Sequence, residues 1–162
     1  MLKGEEEVAM NQSKALREAL RSAFRAEKDA MDFYRTAAEH LTDPEAAALF
    51  AGLAREERQH AYSFYTLDRD EDLPPFEELL DAPPDTSGSW WRALQKLSAE
   101  NFTAKAALRL AIEEERRLEA ELRAAAEEII EPRARSIYLA NANSTRCHCR
   151  SLEELYAERY GV

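Results

Sequence analysis

A chain of 162 residues with a net charge of −10 is long enough for one domain with a sizeable core, and its acidity argues against nucleic acid or an anionic membrane surface as a partner. Alanine, leucine, glutamate and arginine dominate and there are only four glycines, a composition that builds helices and not sheets. No apolar run approaches the ~20 residues that span a bilayer, and the acidic start, Met1-Leu2-Lys3-Gly4-Glu5-Glu6-Glu7, has no apolar stretch of the secretory kind, so a cytoplasmic protein is expected.

Residues 1 to about 12 read as frayed or loosely helical. Ser13 is the expected cap of a first long helix that runs to about Leu41. In it Leu20, Ala23, Phe24, Met31 and Tyr34 surround Glu27 at helical spacing, which puts a carboxylate in the middle of the buried stripe. A carboxylate there is costly unless it is paired or metal-bound; the plainer reading is a stripe-edge glutamate satisfied by a neighbouring arginine. Tyr34, two turns on, reads as core with a hydrogen-bonding or redox role as the alternative.

Thr42-Asp43-Pro44-Glu45 breaks this helix and starts the next, with Pro44 suited to the first turn. The second helix is expected from about Pro44 to Asp68. Glu57 and His60 form Glu-x-x-His within it, on the face of Leu53 and Phe64. Positions three apart share a helix face, so a carboxylate and an imidazole point the same way, a pair that suits iron, manganese or zinc. Glu56 is the alternative carboxylate, although the spacing favours Glu57.

Asp70-Glu71-Asp72-Leu73-Pro74-Pro75 ends the second helix, and a long connection follows to Ser98, with Pro83-Pro84 and a short helix at Trp90-Trp91-Arg92-Ala93-Leu94. The tryptophans are expected to pack this crossover onto the other helices. A third helix is expected from about Asn101 to Glu131, with Thr103 a candidate cap. Leu108, Ala111, Ile112, Leu118 and Leu122 form its inner stripe around Glu115; Glu119 lies one turn later, and Glu113 and Glu114 should face solvent or the edge. Glu131-Pro132 opens a fourth helix to about Arg159, whose inner face carries Tyr138, Asn141, Thr145, His148 and Leu152. Asn141 and Thr145 need hydrogen-bond partners there, from the protein, water or a ligand. Cys149 sits near the edge of that face and Cys147 points away. Consecutive helical residues diverge by about 100°, so Cys147, His148 and Cys149 cannot together grip one ion, and an intrahelical disulfide has poor geometry.

The chain repeats without a gap. Ala19-Leu20-Arg21-x-Ala23 matches Ala107-Leu108-Arg109-x-Ala111, Glu27 falls on Glu115, Arg35-x-Ala37-Ala38-Glu39 on Arg123-x-Ala125-Ala126-Glu127, Asp43-Pro44 on Glu131-Pro132, and His60 on His148. Glu57 falls on Thr145, so one of six symmetric ligand positions is lost. The reading is an all-α four-helix bundle over residues 1–162, with one long crossover at about 70–100 and repeat halves at about 13–69 and 101–159. One glutamate from each of two helices and Glu-x-x-His from the others is the di-metal carboxylate arrangement of bundle cores. Here it is represented by Glu27, Glu57, His60, Glu115 and His148.

The stretches Ala26-Glu27-Lys28-Asp29-Ala30-Met31-Asp32-Phe33-Tyr34, Asp43-Pro44-Glu45 through Arg55-Glu56-Glu57-Arg58-Gln59-His60, and Leu110-Ala111-Ile112-Glu113-Glu114-Glu115 resemble the ferritin-like superfamily, and within it the rubrerythrin-like branch. The resemblance extends from Leu20 to Tyr156. It implies that Glu27 and His60 bind one iron, Glu115 and His148 the other, and that Glu57 bridges them. It also implies peroxide reduction or iron handling, a homodimer or larger homo-oligomer, and an external electron donor. Thr145 stands where the family's second bridging carboxylate would be, and Leu118 where peroxide-reducing members carry a further glutamate. The paired Cys-x-x-Cys motifs of a rubredoxin-like tail are absent from these residues. Glu119 and Cys149 are auxiliary ligand candidates. Three readings stay open: two irons and oxidoreductase chemistry; one iron, manganese or zinc ion at Glu27, Glu57 and His60; or a helical interaction module whose metal site has decayed.

Overall fold

The computed structural model describes residues 3–161 and consists, in that span, of six helices joined by turns and loops. They are α1 (Lys3–His40), α2 (Pro44–Tyr65), α3 (Phe76–Asp81), α4 (Ser89–Ala99), α5 (Ala104–Glu128) and α6 (Pro132–Tyr160). α1 packs along α2 and α5 along α6, and the two hairpins close on each other into a ferritin-like four-helix bundle. The crossover between α2 and α5 holds α3 and α4, and α4 lies against both α1 and α5.

The two hairpin turns use the same local chemistry in both halves. Asp43 caps α2 by accepting from the backbone N–H groups of Glu45 and Ala46, and Pro44 occupies the first turn. Glu131 caps α6 in the same way, accepting from Arg133 and Ala134 ahead of Pro132. Each cap satisfies amide groups that the helix itself leaves open. Thr103 caps α5, accepting from Ala106.

Four local expectations need correction. Ser13 is not a cap: α1 already begins at Lys3, because the glutamate, alanine, methionine and glutamine of this stretch favour helix and nothing breaks it. Residues 3–15 are all exposed, so this part of α1 overhangs the core. The crossover contains α3, which is too short to show a periodic pattern, and α4 is longer than the expected Trp90–Leu94. Glu114 is buried and not at the surface, and it lines one cavity together with Asp85, Gly88 and Trp90 of the crossover. The ends of α2 and α5 are also a little earlier than expected, at Tyr65 and Glu128.

Trp90 packs the crossover onto the bundle as expected. Its ring meets those of Phe33 and Tyr34, and Tyr34 in turn meets Phe50 edge-on at 5.1 Å. This aromatic layer closes one side of the core beside the glutamates and histidines described next. No described helix is long and apolar enough to cross a membrane.

Candidate metal centre

Four helices each deliver an acidic or imidazole side chain to the middle of the bundle. Glu27 comes from α1, Glu57 and His60 from α2, Glu115 from α5 and His148 from α6. The three carboxylates have no solvent exposure, and both histidines are buried. The helical period explains the placement, since each of these residues sits on the apolar stripe of its helix.

Glu57 is the centre of the arrangement. Its Oε2 accepts from His60 Nδ1 at 2.9 Å and its Oε1 from His148 Nδ1 at 3.0 Å. The same ring nitrogens face a second carboxylate each: His60 Nδ1 lies 3.6 Å from Glu27 Oε2, and His148 Nδ1 lies 3.6 Å from Glu115 Oε1. The two rings are nearly parallel, with centroids 5.2 Å apart. The sequence repeat thus becomes a local two-fold arrangement, with Glu57 shared between its halves.

Buried charges here are strongly coupled. Burial works against a charge on His60, but Glu27 and Glu57 outweigh it and push its pKa up to about 10. Burial likewise opposes charge on His148, yet Glu115 and Glu57 raise it to about 11. For Glu57 burial is outweighed by hydrogen bonds from His148 and His60, which hold its carboxyl below the usual range. Glu115 is pushed up to about 7 by burial and by the charge of Glu57. Glu27 is raised well above its ordinary value by burial and then by Glu57.

Both oxygens of Glu27 and Oε2 of Glu115 are buried with no hydrogen-bond partner. Native interiors rarely leave such atoms unsatisfied, and a desolvated carboxylate without a partner is costly. Carboxylate oxygens together with imidazole nitrogens suit divalent ions of borderline hardness such as iron, manganese or zinc. The donor set therefore fits a metal. Glu57, His60 and His148 form the tightest group, each offering one ligand atom, all within 4.8 Å of one another. That group joins the two histidines, whereas the expected pairing put them on separate ions; the Glu27 and Glu115 contacts at 3.6 Å keep both assignments geometrically open.

The remaining expectations resolve within the protein. Thr145 is fully buried, but its hydroxyl donates to Asn141 O one turn back on α6 and so does not take the place of a carboxylate. Asn141 donates to Ser63 Oγ and to Ile137 O. Glu119, an auxiliary candidate, accepts from Arg123 on its own helix, and the Cys149 thiol donates to Glu153. Neither makes a hydrogen bond to the cluster. Cys147 is exposed.

Three participants were not assigned from sequence. Glu56 is not a member of the inner cluster; its Oε2 accepts from His148 Nε2 at 2.6 Å, across from α2 to α6. Ser144 lies at the repeat position of Glu56 and sits 2.9 Å from His60 Nε2, across from α6 to α2. Each thus backs the histidine of the other half, a crossing that the aligned repeat positions hint at but cannot orient. Tyr138 is buried with its hydroxyl unpartnered, and burial together with the charge of Glu27 raises its pKa.

The rubrerythrin family model matches residues 18–156. The chain belongs to the rubrerythrin family. No curated protein and no solved structure matches it. For this rubrerythrin-family chain, the matched span contains every member of the buried cluster, together with Glu56, Ser144 and Tyr34.

Proposed function

We propose that this chain is a dinuclear metal oxidoreductase, with two divalent ions, iron foremost, held by Glu27, Glu57, His60, Glu115 and His148, and with peroxide or oxygen as its substrate. The observation that carries this reading is the convergence of three fully buried carboxylates and two imidazoles with three carboxylate oxygens left unpartnered. The histidine protons offset part of this charge in the metal-free chain, and bound cations would offset it while giving the unpartnered oxygens their ligand. Membership of the rubrerythrin family supports iron as the metal.

A pair of redox-active ions held by these five side chains would supply two electrons, one from each, for cleaving an oxygen–oxygen bond, and an external donor would restore them. The chain's own groups do the rest. Glu57 presents one oxygen toward each histidine and so serves both halves. Tyr34 donates to Glu115 Oε1, which orients that carboxylate and leaves Oε2 free. Phe33, Phe50 and Trp90 pack around Tyr34 and keep bulk water from that side. Three carboxylates fall one charge short of neutralising two divalent ions, which favours an anionic oxygen ligand as the further partner.

A second reading has its own observation. Glu57, His60 and His148 alone form a compact three-donor group, which suits one ion shared by both histidines. Metal content decides between them, measured by elemental analysis after anaerobic loading with ferrous iron. Close to two ions per chain, oxidised on exposure to oxygen or peroxide, is the expected result. Close to one supports the shared ion. No bound metal, with unfolding unaffected by added metal, overturns both.

A further inference from the structure

We propose that the two metal positions are inequivalent and fill in a fixed order, the Glu115–His148 position first, with Glu56 as the positioning residue that sets the order. This rests on the two-ion reading above. The starting point is the crossing of outer partners between the halves: Glu56 backs His148 and Ser144 backs His60. The two residues occupy equivalent places in the repeat but are chemically different, so the local two-fold arrangement is broken just outside the ligands.

A carboxylate has no hydrogen to give and can only accept, whereas a hydroxyl both donates and accepts. Glu56 therefore keeps a hydrogen on His148 Nε2, so that once metal displaces the Nδ1 proton shared with Glu57, Nδ1 faces Glu57 and Glu115 with the ring already oriented. Ser144 imposes no such choice on His60 Nε2, which can donate to the hydroxyl or accept from it once metal displaces the Nδ1 proton shared with Glu57. Outer carboxylates of this kind orient a ligating histidine and strengthen it as a donor.

The carboxylates differ in the same sense. Glu115 is steadied by Tyr34, which donates to Oε1 and leaves Oε2 unpartnered. Glu27 has neither oxygen hydrogen-bonded, and the repeat counterpart of Tyr34 is Leu122, which has no donor. One half thus has a carboxylate fixed by a phenol and an imidazole backed by a carboxylate, whereas in the other Glu27 has no hydrogen bond and His60 is backed only by a hydroxyl. Groups already held lose less freedom when they bind. Glu56 also brings an additional negative charge to the first half. Its side chain is about half exposed, so changing it leaves the core packing alone.

Stepwise addition of Zn²⁺ to the full chain labelled with ¹⁵N-histidine tests this, with ring-nitrogen NMR reporting which histidine binds and calorimetry giving the two dissociation constants. The expected result is that His148 Nδ1 shifts during the first equivalent and His60 during the second, with constants at least about tenfold apart. Glu56→Ser weakens the first step by roughly 10–100-fold and leaves the second within about threefold. Exchanging the two residues, with Glu56→Ser and Ser144→Glu in one chain, reverses the order. Two ions with equal constants, His60 shifting first, or an order that survives the exchange would each overturn the inference while leaving the two-ion reading intact. A single zinc shared by both rings, or none, would overturn that reading and the inference with it.

Discussion

Tyr34 on α1 donates its phenol proton to Glu115 Oε1 on α5 across 2.5 Å, with both side chains sealed from solvent. Burial, and then the charges of Glu115 and Glu57, raise the phenol pKa well above its ordinary value, so Tyr34 is a donor at every working pH. Tyr34→Phe keeps the ring packing against Phe50 and Trp90 and removes only the donor. The metal-free protein should lose about 1–3 kcal/mol, the usual consequence of stranding a buried acceptor. Thermal unfolding of the two proteins in chelator measures it, and equal midpoints would show that the bond contributes nothing to stability.

Glu27 should behave in the opposite way. It is wholly buried and neither oxygen has a hydrogen-bond partner, so it serves a ligand at the expense of the fold. Glu27→Gln keeps its size and removes the charge. The metal-free variant is expected to unfold at the same temperature as the parent or higher, while the stabilisation brought by added Fe²⁺ or Zn²⁺ shrinks. A variant that is less stable without metal and equally stabilised with it would contradict a ligand role.

Thr145→Glu restores a carboxylate at the broken repeat position. Thr145 is fully buried and its hydroxyl is committed to its own helix, so without metal the new charge has no counter-ion. Destabilisation of roughly 3–5 kcal/mol is expected in chelator, recovered when divalent metal is added. The pair of melting curves, with and without metal, checks both halves of the statement; a loss that metal does not repair would mean that position 145 lies outside the reach of any ion.

Stability should fall as pH rises in the absence of metal. His60 and His148 have ordinary pKa values of 6.5 and values of about 10 and about 11 in the fold. A raised value means that the folded chain binds the proton more tightly than the unfolded one. The contribution is therefore complete below about pH 6.5 and is lost as pH rises through 10 and 11. Glu115, raised to about 7, acts in the same direction between its ordinary value and pH 7. Glu57 has a lowered value and acts oppositely, its contribution being present above the ordinary carboxyl range and lost progressively as pH falls below it. Metal must displace the histidine protons, so the gap between loaded and metal-free melting temperatures should widen from pH 6.5 to 9. A gap that is constant over that range would argue against imidazole ligands.

Deleting residues 1–12 should change stability little. The described part of that stretch is helical but exposed throughout, and surface changes of this kind usually stay within about 0.5 kcal/mol. A drop of several degrees in the unfolding midpoint would show that the overhang contributes substantially to the fold.

Much of this architecture follows from local rules and is readable in the chain. Asp43-Pro44 and Glu131-Pro132 start helices because their side chains and rings satisfy the first turn wherever they occur. Glu27, Glu57, His60, Glu115 and His148 point inward because a period of 3.6 residues puts them on apolar stripes, and the repeat brings the two halves to the same depth. What lies between helices obeys no such local rule. Glu56 reaches His148, and Ser144 reaches His60, only because α2 and α6 pack with a particular rotation; a turn of α2 by one position would exchange Glu56 for Glu57. Glu114 is buried on a side of α5 that shares a cavity with the crossover, and a crossover path depends on contacts far apart in sequence. Periodicity therefore specifies which residues face the core, whereas the relative rotation of packed helices decides which of them touch.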